Sequence, residues 1–268
     1  MTKQSLKNLQ RPHRTIKMKA NNLIKSIIAI KNKIGLKTII GDYKPGYIYG
    51  TIKIHKENNS LRPIISQVSS VTYQLVKTLN KIIQPYIPNK YMLKSTSDFI
   101  DLIQLKEING ILALLDVVNL FTNVPITDTI TIILEHTYKH KSFPSRDMPQ
   151  EILKSLLQLC TKESPFKTPE GTLYKQIEGV TMGSPLGSTF ANFYMGHLKN
   201  AIFENSNIKS TLYARYVDNI FLEVDSEEQL IKIKEAMESR SVLKITYELR
   251  LNKKLPFLDE QKQLNKNN

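Results

Sequence analysis

Hydrophobic and polar positions along this chain change period several times, and each change marks a predicted element. From Leu23 to Ile34 apolar residues recur at helical spacing while lysines occupy the other faces, which predicts an amphipathic helix. Gly41 to Pro45 breaks that pattern. Farther along, the same analysis predicts strands at 47–49, 61–65, 111–115, 244–248 and 255–258, and helices at 72–83, 129–138, 151–161, 185–199 and 227–239.

The order of these elements favours an α+β domain built on an antiparallel sheet. Strands and helices mix without a strict βαβ alternation, and the sequence contains no internal repeat. The segment 171–176 is typical of one arm of a hairpin, and the strand at 244–248 is expected to face 255–258. Ser184 follows a glycine-containing loop and is expected to cap the helix that begins at Pro185.

Composition narrows the class of protein. With 268 residues, of which 41% are hydrophobic, the chain can bury a core, and its length suits one large domain or two packed subdomains rather than a disordered protein. Lysine and arginine number 38 against 24 acidic residues, which leaves a net charge of +14. This excess predicts attraction to a polyanion, with nucleic acid as the first candidate. Alternatively, lysine and asparagine enrichment reflects the base composition of the source genome.

Cysteine usage and apolar run length indicate the compartment. Cys160 is the only cysteine, so no intrachain disulfide can form, and we expect a reducing environment and a role in core packing. Residues 1–14 are polar and basic without an apolar h-region, and no run approaches the length of a bilayer span. These features predict a soluble intracellular protein with no membrane partner, nuclear or nucleocytoplasmic.

Two aspartates occur where apolar strands end or turn. Asp116 ends the apolar run 111–115, and Asp218 lies at the tip of a predicted hairpin, 215–221. Nucleotidyl transfer to a primer 3′-hydroxyl uses two divalent metal ions with hard oxygen ligands, one at the attacking oxygen and one at the leaving pyrophosphate. The two carboxylates, with the carbonyl of Val117, therefore predict a site for two Mg²⁺ ions in a polymerase palm.

Each of these residues also has a simpler explanation. Asp116 could cap a loop, and the dipeptide Asp218-Asn219 suits a type I′ hairpin turn. Phe121 stands five residues after Asp116, where its ring could lie under the sugar of an incoming nucleotide and exclude a 2′-hydroxyl. It could equally be an ordinary core phenylalanine.

Glycines and basic residues elsewhere could contact a nucleotide. Gly183 and Ser184 belong to the loop Gly179–Gly187, whose backbone could approach a base pair or phosphate closely before a helix N-terminus that favours negative charge. The alternative is a loop that only caps the helix. Arg62 could hold a triphosphate through its guanidinium fork, or it could be a surface arginine. Lys53 extends the same basic strip.

Six short segments, taken in order, carry a family resemblance. They are GTIKIHK at 50–56, LRPIIS at 61–66, LLDVVNLFTNVPI at 114–126, GVTMGSPLG with Ala191-Asn192 at 179–192, RYVDNIF at 215–221, and ITYE with LPFLD at 245–259. Together they resemble the reverse transcriptase of Penelope-like retroelements, from Tyr47 to Leu258. The segments around Asp116 and Gly183 are the most specific.

The resemblance implies a right-hand polymerase with fingers and a palm, whose antiparallel sheet packs on helices. This domain would occupy residues 46–259, between a basic helical extension, 1–45, and a polar tail, 260–268. The implied activity is an RNA-directed DNA polymerase that uses an RNA template, a DNA primer and deoxynucleoside triphosphates. The implied cofactor is a pair of Mg²⁺ ions, for which Mn²⁺ can substitute.

The resemblance also implies roles for individual residues. Asp116 and Asp218 would be the metal-binding catalytic residues, Arg62 and Lys53 the triphosphate contacts, and Phe121 the sugar gate. The predicted sets are Lys53, Arg62, Phe121, Gly183 and Ser184 for the nucleotide, and Asp116, Val117 and Asp218 for the metals.

Three departures from the family pattern support a second hypothesis. Asn219 replaces the second aspartate of the hairpin, Thr51 and Ile52 replace Leu-Pro in the Gly-Leu-Pro-Lys-Ile-His-Lys motif, and the sequence ends about ten residues after Leu258. We therefore expect a full thumb and a GIY-YIG-type endonuclease domain to be missing. The second hypothesis is a catalytically weakened or inactive nucleic-acid-binding remnant. An RNA-templated RNA polymerase is a third, which Phe121 disfavours.

Overall fold

The computed structural model describes residues 9–10, 25, 28–29, 44–52, 61–70, 72–88, 91–162, 165–203, 210, 212–250, 254–257 and 260–263. The predicted helix from Leu23 to Ile34 lies largely outside these residues, although Lys25, Ile28 and Ala29 are helical. Lys53 also lies outside them. The chain forms two compact units, one of Met1–Pro88 with Phe121–Tyr194 and one of Asn89–Leu120 with Met195–Asn268.

The secondary structure is mixed. The strands are β1 (Leu9–Gln10), β2 (Gly46–Ile52), β3 (Leu61–Ser66), β4 (Ile111–Val117), β5 (Pro165–Lys167), β6 (Leu173–Gln176), β7 (Leu212–Tyr216), β8 (Asn219–Val224), β9 (Ile245–Arg250), β10 (Lys254–Phe257) and β11 (Glu260–Gln263). The helices are α1 (Tyr73–Ile83), α2 (Thr96–Gln104), α3 (Leu120–Asn123), α4 (Ile126–Lys139), α5 (Gln150–Lys162), α6 (Pro185–Phe203) and α7 (Glu227–Ser239), with a 3₁₀ turn at Gln84–Tyr86.

The first unit contains a five-stranded sheet in the order β1-β6-β5-β2-β3. β2 pairs antiparallel with β3 and parallel with β5, and β5 and β6 form the hairpin predicted at 171–176. One face of this sheet is closed by a small core of Ile48, Ile65 and Phe166, against which Tyr174 packs. Alternation along β2 therefore leaves its other face open, because successive side chains point to opposite sides.

Helices of the first unit form where apolar residues recur at helical spacing. On α1 the buried residues are Leu75, Val76, Leu79 and Ile83, and the 3₁₀ turn containing Pro85 ends it. Helices α4 and α5 pack on each other through buried aliphatic residues. Cys160 on α5 is one of these buried residues, as predicted, and burial raises the pKa of its thiol.

The second unit contains a four-stranded antiparallel sheet in the order β7-β8-β4-β9. Its core is a cluster of apolar side chains in which Phe99 of α2 meets Phe221 of β8 edge to face, with ring centroids 4.8 Å apart. Helix α7 begins after Ser226, whose Oγ accepts from the Gln229 N–H at 3.3 Å. The predicted bounds of α7, 227–239, are confirmed.

The antiparallel α+β fold is confirmed, and one predicted pairing is wrong. The strand expected at 244–248 pairs as β9 with β4, and β10 pairs with β11 instead. The reason is that helix α7 returns the chain to the second edge of β4, where the Val118 N–H donates to the Lys244 carbonyl at 2.9 Å. The predicted tail at 260–268 contains β11. The proposed domain boundaries stay a prediction.

No helix among the described residues combines the length and the apolar composition needed to cross a bilayer.

Candidate active site

Both predicted catalytic aspartates lie at one end of the four-stranded sheet. Asp116 is the penultimate residue of β4, directly opposite Asn219 on β8 and Thr246 on β9. Asp218 belongs to the two-residue connection between β7 and β8, and its carbonyl accepts from the Val117 N–H at 3.0 Å. The three predicted metal ligands therefore lie at the same end of the sheet, Asp116 and Val117 on β4 and Asp218 in the turn that leads into the neighbouring strand β8. Both aspartates are half-buried.

The turn that presents Asp218 is strained. Tyr216 pairs with Asn219, so only Val217 and Asp218 lie between the two strands. Asn219 is thus the first residue of a strand, and the expected Asp218-Asn219 turn is wrong. Val217 has φ +53°, a left-handed conformation that costs a β-branched residue about 1–3 kcal/mol. Such strain persists only where neighbouring contacts enforce it.

Arg215 supplies one of those contacts. Its side chain is buried within β7, at 3% exposure, and its Nη1 donates to the Val217 carbonyl at 2.8 Å. Burial lowers the pKa of this guanidinium, while electrostatic interactions with Tyr213 and Asp218 oppose the shift. Because arginine remains protonated in proteins, a fixed positive charge lies beside the aspartate turn. Sequence reasoning missed Arg215, and the available signal was a cation inside an apolar strand, Leu212–Tyr216.

Asn219 interacts directly with Asp218. Its Nδ2 donates to the Asp218 Oδ1 at 3.3 Å. This hydrogen bond occupies part of the acceptor capacity of the carboxylate that is predicted to hold metal. Asparagine at position 219, in place of the second aspartate of the family pattern, therefore changes both the charge and the hydrogen bonding around Asp218.

Phe121 lies in the first unit, where the short helix α3 packs against the glycine loop. Its carbonyl accepts from the Val180 N–H at 2.7 Å, and the side chain is half-buried. Gly179 has φ +73°, and a Cβ there would be 2.5 Å from the Thr122 carbonyl oxygen. The loop therefore requires glycine at 179, because neither the conformation nor the space admits a side chain.

Gly183 and Ser184 lie at the open edge of β3, the strand that carries Arg62. The Ile65 N–H donates to the Met182 carbonyl at 3.0 Å, which joins the loop to the strand. Gly183 has φ +103°, is exposed, and approaches the Ile65 carbonyl so closely that a Cβ would lie 2.9 Å from it. Arg62 is exposed on β3 opposite Thr51.

The predicted residues thus fall into two groups. Arg62, Phe121, Gly183 and Ser184 belong to the first unit, and Asp116, Val117 and Asp218 belong to the second unit. Among the described residues, no three His, Cys, Asp or Glu side chains cluster as a ready-made metal site. Two carboxylates and a backbone carbonyl nevertheless fit Mg²⁺, which keeps several waters and takes further oxygens from substrate phosphates.

The fold has known counterparts among polymerases. The chain is similar to a telomerase from Candida tropicalis truncated from its C-terminal domain, at 14% identity and a TM-score of 0.59, covering 86% of this chain and 56% of that one. A telomerase from Candida albicans, solved with a fragment of telomeric RNA, gives 11% identity and a TM-score of 0.54 over 90% of this chain and 50% of that one. The chain therefore has the fingers–palm fold of polymerases and spans about half the length of these telomerases.

An RNA-dependent RNA polymerase shares the same fold. The BmCPV RNA-dependent RNA polymerase at the elongation state matches with 12% identity and a TM-score of 0.54, over 87% of this chain and 22% of that one. The sequence itself matches the family model for reverse transcriptase (RNA-dependent DNA polymerase) over residues 54–259. The chain belongs to this family. A search of curated proteins gave no match.

Proposed function

We propose that this chain is the RNA-directed DNA polymerase module of a Penelope-like retroelement. The observation that carries the proposal is the backbone register at the end of the four-stranded sheet, where Asp116 lies opposite Asn219 and the Val117 N–H bonds the Asp218 carbonyl. Two carboxylates, one on a strand and one in the turn that leads into the neighbouring strand, are what a pair of divalent ions needs for nucleotidyl transfer. Membership of the reverse transcriptase family supports the same chemistry.

The catalytic residues would act by binding and positioning. Asp116, Asp218 and the Val117 carbonyl would hold two Mg²⁺ ions, which Mn²⁺ could replace. When bound, these ions supply charge that favours ionisation of the primer 3′-hydroxyl and supports the leaving pyrophosphate. Arg215 fixes the turn that carries Asp218, since its guanidinium bonds the Val217 carbonyl.

The nucleotide would be held by residues of the first unit. Arg62 and Lys53 contact the triphosphate of the incoming deoxynucleotide, because a guanidinium fork and an ammonium match phosphate oxygens. The exposed Gly183 and the half-buried Ser184 approach the nucleotide, and Phe121 lies under its sugar. The net charge of +14 attracts the RNA template and DNA primer. We place this reaction inside the cell, in the nucleus or shared between nucleus and cytoplasm.

A weakened remnant is the second candidate function, and Asn219 favours it. An amide contributes no charge to concentrate Mg²⁺, and the Asn219 Nδ2 already bonds the Asp218 Oδ1 at 3.3 Å. In that case the basic surface of the chain would bind nucleic acid while synthesis is slow or lost.

Primer extension separates the two functions. Purified protein is given oligo(dT) on poly(rA) or poly(dA), with Mg²⁺ or Mn²⁺, and with deoxynucleotides or ribonucleotides. The proposal predicts extension with deoxynucleotides on poly(rA), and more ribonucleotide use by Phe121→Ala because the ring no longer excludes the 2′-hydroxyl. Binding without extension under every condition supports the remnant. Preference for ribonucleotides by the unaltered chain would indicate an RNA polymerase.

A further inference from the structure

The open face of the five-stranded sheet carries two exposed tyrosines side by side. Tyr47 and Tyr49 alternate along β2 with the buried Gly46 and Ile48, and they are 53% and 43% exposed. Their ring centroids are 5.8 Å apart, with 31° between the ring planes. Two adjoining aromatic rings at the surface offer flat π area that a ligand could cover.

Cations lie on the same face as these rings. Directly paired residues on neighbouring strands project to the same side of a sheet. The register pairs Tyr47 with Lys167 of β5, and Lys167 with Leu173 of β6, which puts Lys175 on the same face. Lys167 is exposed and Lys175 is half-buried. We call Tyr47, Tyr49, Lys167 and Lys175 the tyrosine face.

The charged side chains on the strands of this sheet are all basic. The five strands contain no aspartate or glutamate, and the acidic residues closest to them in sequence are Glu163, two residues before β5, and Glu178, two residues after β6, with Glu170 at the tip of the β5–β6 hairpin. Arg62, the proposed triphosphate contact, projects from β3 on the same face, because it pairs with Thr51 two residues beyond Tyr49. A polyanion could therefore lie along the strands without meeting a carboxylate within them.

We propose that the tyrosine face binds single-stranded RNA, with Tyr47 and Tyr49 stacking on unpaired bases and Lys167 contacting phosphate. Aromatic rings combined with a positive groove are the chemistry that binds single strands without sequence preference. A duplex hides its base faces, so it would not gain from the tyrosines. The choice of RNA rests on the proposed function, in which RNA is the unpaired template.

Fluorescence anisotropy tests the rings. The probe is a labelled, unstructured RNA of about 12 nucleotides, within the range of single-strand site sizes. It is titrated with the full chain in the presence of a chelator and without primer or nucleotide. Tyr47→Ala/Tyr49→Ala should weaken binding about tenfold or more, because each stacked base contributes the equivalent of about fivefold to over a hundredfold. Tyr47→Phe/Tyr49→Phe keeps both rings and should bind as the unaltered chain does.

Two further comparisons test the mode of binding. The affinity for the same RNA annealed to its complement should be nearly the same for both tyrosine variants as for the unaltered chain. Lys167→Gln should weaken single-strand binding and reduce its salt slope by about one. Lys141→Gln, which removes an exposed lysine outside the five strands, serves as the matched control and should leave that slope unchanged.

Several outcomes would overturn the proposal. These are unchanged RNA binding by the alanine variant, equal losses for duplex and single strand, and tighter binding of single-stranded DNA than of RNA of the same sequence. Ultraviolet cross-linking of RNA to the unaltered chain gives a second measurement that needs no variant. Cross-links at Tyr47 or Tyr49 are expected, and cross-links confined to other residues would contradict the site.

Binding and synthesis can fail separately. If the rings are needed for RNA binding but no primer is ever extended, the tyrosine face stands and the polymerase proposal fails. If primers are extended but the alanine variant binds RNA as tightly as the unaltered chain, only the proposal for the tyrosine face is wrong.

Discussion

Arg215 is the residue on which the geometry of the aspartate turn depends. Its guanidinium is buried and bonds the Val217 carbonyl, and Val217 holds a left-handed conformation that is costly for its side chain. The same positive charge lies near Asp218, whose negative charge opposes the lowering of the Arg215 pKa by burial. Removing the cation therefore removes both a donor and a charge from the turn.

We predict that Arg215→Met destabilises the chain by about 1.5–3 kcal/mol, because the Val217 carbonyl loses a hydrogen bond from a charged donor. Arg215→Lys should recover part of that loss, because it restores charge without the fork. Chemical denaturation measures both free energies of unfolding. Arg240→Met is the matched control, since Arg240 is exposed in the same unit. Equal stability of the two methionine variants would show that Arg215 does not hold the turn.

Asn219→Asp tests the residue that separates enzyme from remnant. A second carboxylate opposite Asp116 adds negative charge and removes the amide donor from the Asp218 Oδ1. We expect the Mg²⁺ concentration for half-maximal activity to fall several-fold, because charge concentrates the ion and offsets its desolvation. Single-nucleotide addition at saturating primer–template is the assay. No change in the metal dependence would make Asn219 a purely structural strand residue.

Sequence reasoning reached part of this site. An acidic residue after an apolar run and another in an apolar hairpin correctly predicted that Asp116 and Asp218 lie at the same end of the sheet, although Asp218 is in the β7–β8 turn and not on a strand. It missed Arg215, because alternation alone does not reveal that a cation inside β7 is buried. It also misplaced Asn219, because the Tyr216–Asn219 pairing decides which two residues form the turn.

At the scale of elements, local sequence signals predicted the bounds of helices more reliably than the partners of strands. Helix α7 was predicted to the residue from its apolar period alone, and the structure adds a cap at Ser226 that fixes the same start. Helix α2 was missed, although Ser95 and Asp98 supply a capping signal, with the Ser95 Oγ accepting from the Asp98 N–H at 3.2 Å. The partner of β9 was wrong because the choice between two strand edges depends on where α7 returns the chain.

Two glycines with similar backbones but different surroundings test the loop that carries the proposed nucleotide contacts. Gly179 and Gly171 both have positive φ, but a Cβ at 179 meets the Thr122 backbone at 2.5 Å, whereas a Cβ at 171 meets only the flexible end of Lys167 at 3.4 Å. We predict that Gly171→Ala costs about 1–2 kcal/mol from conformation alone. Gly179→Ala should cost about 1–3 kcal/mol more because of the collision. Thermal unfolding measures the loss of stability in each variant. Similar losses in the two variants would mean that the loop at 179 rearranges without cost to accept a side chain.

At the scale of the whole molecule, net charge separates binding from chemistry. A chain of +14 that neutralises several phosphates releases counterions, so its affinity for primer–template should fall steeply as salt rises. Asp116→Ala should leave that affinity nearly intact and abolish synthesis, because the carboxylate serves metal and repels phosphate. A salt titration of binding, run beside primer extension, checks this. An affinity that does not change with salt concentration would contradict nucleic acid as the partner.

The central claim is that Asp116 and Asp218 together hold the metals for nucleotidyl transfer. Its most direct test is single-nucleotide incorporation on oligo(dT)–poly(rA) by the unaltered chain, Asp116→Asn, Asp218→Asn and the control Asp128→Asn, an exposed aspartate on α4. We predict that each of the first two variants loses at least about a thousandfold in rate, equivalent to about 4 kcal/mol of transition-state stabilisation, and that Asp128→Asn loses almost nothing. Incorporation by Asp116→Asn or Asp218→Asn at the rate of the unaltered chain would contradict the account.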